Sequence, residues 1–555
     1  MTLMNRKQPK SILGELSFPA GIFRQLRHPG KAVPKSFSLH RLEKVLPEWR
    51  EQVAISREQV TLPISDRRRV LLFGTLRQWI QQASLLGLTL AGLGHEPILA
   101  YLPYSNWRHR FNRFDLHRQN LYTKKILQKA HPFLRTVSLL DLDGDLPNQG
   151  MKTIPTALSD ALDEISARDV QYTLQVEEFN RNVEKDEASE LFSLRRERNA
   201  QAARTLMELI AIEHPDVIIT PNGSILEMGV VYQVARYLGY PVVTYEFGEQ
   251  RHRIWLAQNA EVMHQETDNL WKARGWQPLT PAQWSKVKNL YASRQQGNLW
   301  ENFSRRWQET PSQGAQRVRA AMNLDARPVI LLASNVIGDS LTLGRQVFSH
   351  SMTEWLERTV GYFAGHPEVQ LIVRIHPGER YTSGPSVADV IHRQMPDLPK
   401  HIVLVPAKAN INTYDLVEIA HLGLVYTTTV GMEMAMSGIP VVVAGKTHYR
   451  GKGFTIDPDS WEVYYAELNR FLHEPSNLRL SQQQVEQAWN YAFRFFFEYP
   501  CPFPWHLHFF ALEELKSWPL GRVLSPEGQE VFGDTFRYLI GEPRDWENVK
   551  MLDLV

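Results

Sequence analysis

The stretch Leu422-Gly423-Leu424-Val425-Tyr426 runs into Thr427-Thr428-Thr429-Val430-Gly431-Met432-Glu433 and, a few residues on, into Ile439-Pro440-Val441-Val442-Val443-Ala444. The two apolar runs are short and do not alternate with polar residues. They read as strands buried on both faces. A helical pattern from Gly431 to Ser437 lies between them. Strand, hydroxyl-rich turn, helix and strand make a βαβ unit, and such a unit needs a parallel sheet.

Upstream the pattern repeats. His401-Ile402-Val403-Leu404-Val405, Gln370–Ile375 and Pro328–Ala333 are apolar runs of the same kind, with helices between them. Five strands with intervening helices predict a Rossmann-like domain. An earlier series begins at Val70-Leu71-Leu72-Phe73, ended by Gly74. It continues through a helix over 79–93, the turn Gly94-His95-Glu96, and strands at 97–101, 136–140, 216–220 and 241–245. The fold expected is therefore α/β, with two Rossmann-like domains facing across a cleft. The divisions are a basic N-terminal arm at 1–66 and a first lobe at 67–258. A helical connection follows at 259–326, then a second lobe at 327–480 and a helical tail at 481–555.

Composition agrees with a folded enzyme-sized chain. Of 555 residues, 43% are hydrophobic and 22% charged, with a formal net charge of +2. That balance gives no reason to expect a nucleic-acid partner. A single cysteine, Cys501, excludes an internal disulfide framework and a thiolate metal cluster, and a cytoplasmic protein is expected. No run of ~20 apolar residues suggests a membrane span. The basic residues before position 66 read as a solvated arm, with peripheral contact at an anionic inner-membrane face as the second reading.

Ligands of open parallel sheets bind beyond the carboxyl ends of the strands. Four such places stand out in the second lobe. Ser334-Asn335-Val336-Ile337-Gly338-Asp339-Ser340 offers small residues to a phosphate, with Asn335, Gly338, Asp339 and Ser340 as candidates. Arg374-Ile375-His376-Pro377 uses proline to hold His376, a hydrogen-bond donor, at the sheet's edge. Thr427, Thr428 and Gly431 sit where a strand becomes a helix, a natural anion site. Glu433 there suits ribose hydroxyls or simply the helix dipole. The segment Gly445 to Gly453 brings Lys446 and Tyr449 and reads either as a loop over a bound nucleotide or as a solvated basic loop.

Taken in order, these motifs resemble the capsule polysaccharide biosynthesis transferases, a group that includes Kdo transferases. The resemblance rests on the His-Pro turn, the Thr-Thr-Thr-Val-Gly-x-Glu segment, and the Gly-Ile-Pro-Val-Val-Val-Ala-Gly strand followed by Tyr449 and Gly453. It is similar, too, to the His-Pro and hydroxyl pairs of bacterial sialyltransferases and CDP-glycerol glycerophosphotransferases. The resemblance covers about 328–453. It implies a GT-B glycosyltransferase, a nucleotide-sugar donor such as a cytidine nucleotide, and donor-phosphate binding by His376, Thr427 and Thr428. It also implies a polysaccharide or glycolipid acceptor.

The acceptor is then expected at the strand ends of the first lobe, near Arg77, Asn222, Arg251 and Arg253. Glu246 and Glu249 are candidates for the catalytic carboxylate, with His376 facing them and Glu227 behind. Asp141-Leu142-Asp143-Gly144-Asp145 carries an Asp-x-Asp pattern but reads as an acidic turn. The N–H, hydroxyl and basic groups of the second lobe suffice for a leaving phosphate, so no metal and no further cofactor is expected. A sugar-nucleotide epimerase of the UDP-GlcNAc 2-epimerase type and a non-catalytic binding protein of the same fold remain as other readings.

Overall fold

A computed structural model describes residues 33–59, 62–142, 154–178, 185–248, 250–301, 303, 310–474, 479–507 and 512–549. The first lobe holds β1 (Arg69–Thr75), β2 (Glu96–Leu102), β3 (Arg135–Ser138), β4 (Val217–Pro221), β5 (Val242–Glu246) and β6 (Arg253–Gln258). The second holds β7 (Val329–Ala333), β8 (Gln370–Arg374), β9 (Ile402–Val405), β10 (Leu422–Val425) and β11 (Val441–Val443), and β12 (Cys501–Pro502) follows in the tail. The sheet orders are β12-β6-β5-β4-β1-β2-β3 and β11-β10-β7-β8-β9. Read within each lobe, the parallel strands run 3-2-1-4-5 twice, the doubly wound order whose ligand crevice opens where the strand order reverses. Two facing α/β lobes of this kind are the GT-B arrangement.

The apolar runs form these strands because helices cover both sheet faces. Every residue of β4, β7 and β8 is buried. At one end of the sheet β12 and β6 are antiparallel, and β6 starts at Arg253, where the charged stretch 246–253 read from the sequence ends. Pairing with β5 overrides that polarity, since Ile254 and Leu256 turn inward.

The first lobe takes in more of the chain than residues 67–258. Helix His40–Gln59 buries Leu42, Leu46, Trp49 and Val53 in its core, so this part of the basic segment is packed rather than a loose arm. After helix Gln482–Phe493 and a π-helical turn, Arg494–Glu498, the tail crosses back to the first lobe. It adds β12, then sends Phe503, Trp505, Phe532 and Phe536 into the same core. Trp49 and Trp505, from opposite ends of the chain, meet at 4.8 Å between ring centroids. Among the described residues no helix is long and apolar enough to cross a membrane.

A first-lobe hook joins the lobes. Helix Thr156–Leu174 ends at Gln175, whose φ is 54°. Two residues on, the Glu177 carboxylate accepts from the Thr353 amide at 2.7 Å, the Thr353 hydroxyl at 2.9 Å and the Met352 amide at 3.2 Å. It thereby caps the second-lobe helix Met352–Ala364, satisfying orphan amides. Gly338, at φ +70°, packs on the hook so closely that a Cβ would lie 2.6 Å from the Gln175 backbone. Glycine is required there for lobe packing, not for an approach to phosphate.

Candidate functional site

Register sets the site. Val443, Val425, Ala333, Arg374 and Val405 pair at one level across the second sheet. The residues just beyond that level all face one end of the sheet. The loops after β7 and β10 are tied together by the Asn335 side chain, which accepts from the Thr427 amide at 3.1 Å. Ser334 Oγ accepts from the His376 amide at 3.2 Å and joins the β8 loop to the same group.

These loops and the first lobe enclose a cavity of about 820 Å³. Of the residues singled out in the sequence, Asn335, Asp339, Arg374, His376, Thr427, Thr428 and Lys446 line it from the second lobe and Arg253 from the first. His376 and Thr428 therefore face one space. His376 Nδ1 accepts from the Gly378 amide at 3.0 Å. A nitrogen that accepts carries no proton, so Nε2 holds it and the ring is a donor.

Arg374 is 3% exposed, and its guanidinium donates only to neutral oxygens: Pro406 O at 2.8 Å, Ile411 O and Thr413 Oγ1 at 3.3 Å. Burial lowers its pKa to about 10. Arg345 is alike. It donates to the carbonyls of Met263, His264 and Lys446, and burial lowers its pKa to about 10 against the opposing pull of Glu261. Two buried cations on one cavity wall, neither bonded to a carboxylate among the described residues, are a standing attraction for an anion.

Among the lining side chains, Arg345 Nε, Thr427 Oγ1, Thr447 Oγ1 and His448 Nε2 are buried polar atoms with no hydrogen-bond partner among the described residues. Such atoms cost roughly 1–3 kcal/mol each while unserved. Their gathering at the ends of β10 and β11 marks where a polar ligand belongs.

Other candidates lie elsewhere. Tyr449 is fully buried and donates to the Thr428 carbonyl at 2.6 Å, so it supports the threonine turn from beneath. Gly431 is small for the same reason, since a Cβ would sit 2.4 Å from the Tyr449 hydroxyl. Glu433 is ion-paired with Arg294 at 3.0 Å and accepts from the Tyr414 hydroxyl, leaving it no reach to a ribose. Ser340 donates to Asp339, and neither Ser340 nor Gly338 lines the cavity. Lys446 lies on the wall, but the loop around it is fixed: Lys452 pairs with Asp268, and the Gly451 amide donates to Asp457 at 2.7 Å.

On the first lobe, Arg77 is exposed and away from the cavity. Arg251 is exposed and lies 3.9 Å from Glu514 of the tail. Asn222 does not line the cavity: its Oδ1 accepts from the Ser224 amide at 3.0 Å and its Nδ2 donates to Glu246 at 3.5 Å. Glu227 is buried against Arg195 at 2.8 Å. Asp141 accepts from Asn120 and Lys124, while Asp143 to Asp145 and Glu249 lie outside the described residues. Glu246 does not itself line the cavity, but its partner in strand register, Trp255, does. Burial raises the Glu246 pKa to about 7 although the Phe247 amide and Asn222 oppose the shift.

Sequence reasoning missed Arg345, Thr447, His448, Phe495 and Phe496, all on the cavity wall. Thr447 and His448 stand beside Lys446 in a segment already singled out. Phe495 and Phe496 carry no local signal, because the π-helical turn that aims them is invisible in periodicity. Among the described residues no group of three or more His, Cys, Asp or Glu side chains is placed to hold a metal.

No family model and no curated protein matches the chain. Solved structures similar to it include the beta Kdo 2,4 transferase KpsC of Thermosulfurimonas dismutans, at 16% identity and a TM-score of 0.35, over 52% of this chain and 81% of that one. The beta Kdo 2,7 transferase KpsC of the same organism aligns at 13% identity and 0.31, over 54% and 81%. The UDP-GlcNAc 2-epimerase of Neisseria meningitidis bound to UDP-GlcNAc aligns at 10% and 0.23, over 77% and 97%. Scores this low carry no functional weight.

Proposed function

We propose that the protein is a glycosyltransferase that takes a sugar from a nucleotide-activated donor and passes it to a polysaccharide or glycolipid acceptor. One observation carries the reading. His376, Thr427, Thr428, Arg345, Arg374 and Lys446, from separate strand ends, line one cavity between two Rossmann-like lobes. Its volume, about 820 Å³, falls in the range of small-molecule sites, roughly 300–1,000 Å³. Its wall combines donors and buried cations suited to a phosphate that gains charge as it leaves.

In this reading the donor phosphate lies on the second lobe and Arg253 meets the acceptor across the cavity. Glu246, poised near neutrality, takes the acceptor hydroxyl's proton as its oxygen bonds to the anomeric carbon. The bond from that carbon to the phosphate oxygen breaks, and the electron pair leaves with the nucleotide. His376 Nε2–H, the threonine turn and the cations hold the departing anion. The chain's own groups meet that charge, so neither a metal nor another cofactor is required.

A melting-temperature screen of the wild type with CMP, CDP, UDP and GDP tests the site, because a ligand of the native state stabilises it. His376→Ala should bind the selected nucleotide about tenfold or more weakly and melt as the wild type does without ligand. If no nucleotide shifts the wild type, or His376→Ala binds unchanged, the donor-site assignment is wrong. Incubation with donor alone separates transfer from epimerisation, since only an epimerase turns over without an acceptor.

A further inference from the structure

His448 is 8% exposed and lies on the cavity wall. Its ring stacks on Phe495, with centroids 3.8 Å apart and planes 6° from parallel. Around it the hydrogen bonds leave little choice of tautomer. The Tyr491 hydroxyl lies 2.5 Å and the Thr267 hydroxyl 2.8 Å from the His448 carbonyl. A carbonyl has no proton to give, so the Tyr491 hydroxyl at 2.5 Å donates to it, and the Thr267 hydroxyl, also 2.7 Å from the Tyr491 oxygen, donates to one of those two oxygens. The Tyr491 oxygen is then an acceptor toward His448 Nδ1, 3.0 Å away. Nδ1 therefore carries the ring proton, and Nε2 presents a lone pair.

Nε2 is closed to solvent and has no partner among the described residues. Burial, with Arg345 and Lys452 nearby, holds the ring pKa well below its ordinary value, so the ring stays neutral. A histidine so hard to protonate is a poor general base, since a base works best with a pKa near the working pH. It is a good fixed acceptor. The cavity that His448 lines is where a partner for it can come from.

We infer that His448 Nε2 accepts a hydrogen bond from a hydroxyl of the bound nucleotide-sugar and makes the site selective for a hydroxylated ligand. This inference rests on the glycosyltransferase reading and names a determinant within the same site. A site built to bond a hydroxyl rejects an analogue lacking it far more strongly than a merely apolar pocket rejects a misfit, because the analogue leaves the buried acceptor unserved. The hydroxyl belongs either to the ribose or to the sugar; the chemistry is the same and experiment separates the two.

The test uses the full chain and calorimetry with whichever of CMP, CDP, UDP or GDP binds the wild type, its 2′-deoxy and 3′-deoxy forms, and its sugar conjugates. His448→Phe keeps the stack on Phe495 and removes the acceptor. His448→Gln keeps an acceptor oxygen near the Nε2 position. Loss of affinity by roughly 5- to 150-fold in the Phe variant, absent with one deoxynucleotide and partly restored in the Gln variant, assigns the ribose. The same loss confined to the sugar conjugate assigns the sugar. Unchanged affinity of the Phe variant for every ligand, at a wild-type melting temperature, overturns the inference. Should the Phe variant not fold, equal binding of the parent and both deoxynucleotides to the wild type, with no difference between wild type and Gln variant on any sugar conjugate, overturns it as well. A wild type that binds none of the four nucleotides refutes the glycosyltransferase reading itself, a result distinct from either.

Discussion

The turns after β4 and β10 occupy the same place in the 3-2-1-4-5 order of their lobes, yet they treat their polar groups in opposite ways. After β4, Asn222 folds back on Ser224, the Ser224 hydroxyl donates to Glu261 at 2.6 Å, and the Leu226 amide donates to Asp169 at 2.5 Å. Arg195 then links Asp169 and Glu227 in a triad with almost no exposure. After β10, Thr427 Oγ1 and neighbouring Thr447 Oγ1 have no partner among the described residues. With Arg195 Nη1 the buried atom there left without a partner among the described residues, one turn spends nearly all its hydrogen-bonding capacity on the fold. The other holds it back, and a site for a polar ligand is what that arrangement makes room for.

That contrast breaks most visibly in stability. Arg195→Met leaves two carboxylates in the core without their counter-charge, and should cost roughly 3–5 kcal/mol in urea unfolding. Thr447→Val removes an oxygen with no hydrogen-bond partner among the described residues, so stability should change by no more than about 1 kcal/mol, while nucleotide affinity falls. Losses of similar size in both variants would show the two turns to be alike.

Glu246 sharpens the comparison, because it is the first-lobe strand-end group that has not been neutralised by a cation. Its pKa is raised from 4.5 to about 7 by burial. A carboxyl shifted upward stabilises the fold below its unfolded pKa, and that contribution is lost as pH climbs toward 7. Glu246→Gln lacks the penalty of burying the charge. Thermal or urea melts should show the variant gaining on the wild type between pH 5 and pH 8, by on the order of 2 kcal/mol at the upper end. Turnover should move the other way: wild-type kcat/KM rises with pH through about 7, and the Gln variant loses activity at every pH. A Gln variant with full activity would remove Glu246 from the chemistry.

The sheets were legible because strands buried on both faces leave unbroken apolar runs. The antiparallel β6 was not, since its Arg-Ile-Trp-Leu-Ala-Gln run looks like the end of a charged loop until β5 is beside it. At the site, position at or after a strand end draws attention to His376, Thr427, Thr428, Arg374 and Lys446, which the structure brings to one cavity. The same logic misled at Glu227 and Glu433. Each lies in the opening turns of a helix that follows a strand, and each is held by a buried arginine from a distant segment, Arg195 or Arg294. Nothing local announces a partner 32 or 139 residues away. Arg345 escaped for a related reason: it sits in the long β7 connection, and only the folded path returns it to the cavity.

Tyr449 gives the smallest and most discriminating case. The sequence suggests a ligand group, and the structure sets it behind the threonine turn, donating to the Thr428 carbonyl. Tyr449→Phe keeps the ring in its core position and deletes one hydrogen bond. The loss should be about 1 kcal/mol of stability, and nucleotide affinity should change less than about threefold, because Thr428 is still carried by the start of its helix. A residue touching the nucleotide would instead lose tenfold or more in binding at little cost in melting temperature. Measuring both quantities on this one variant therefore separates a residue that builds the threonine turn from one that uses it.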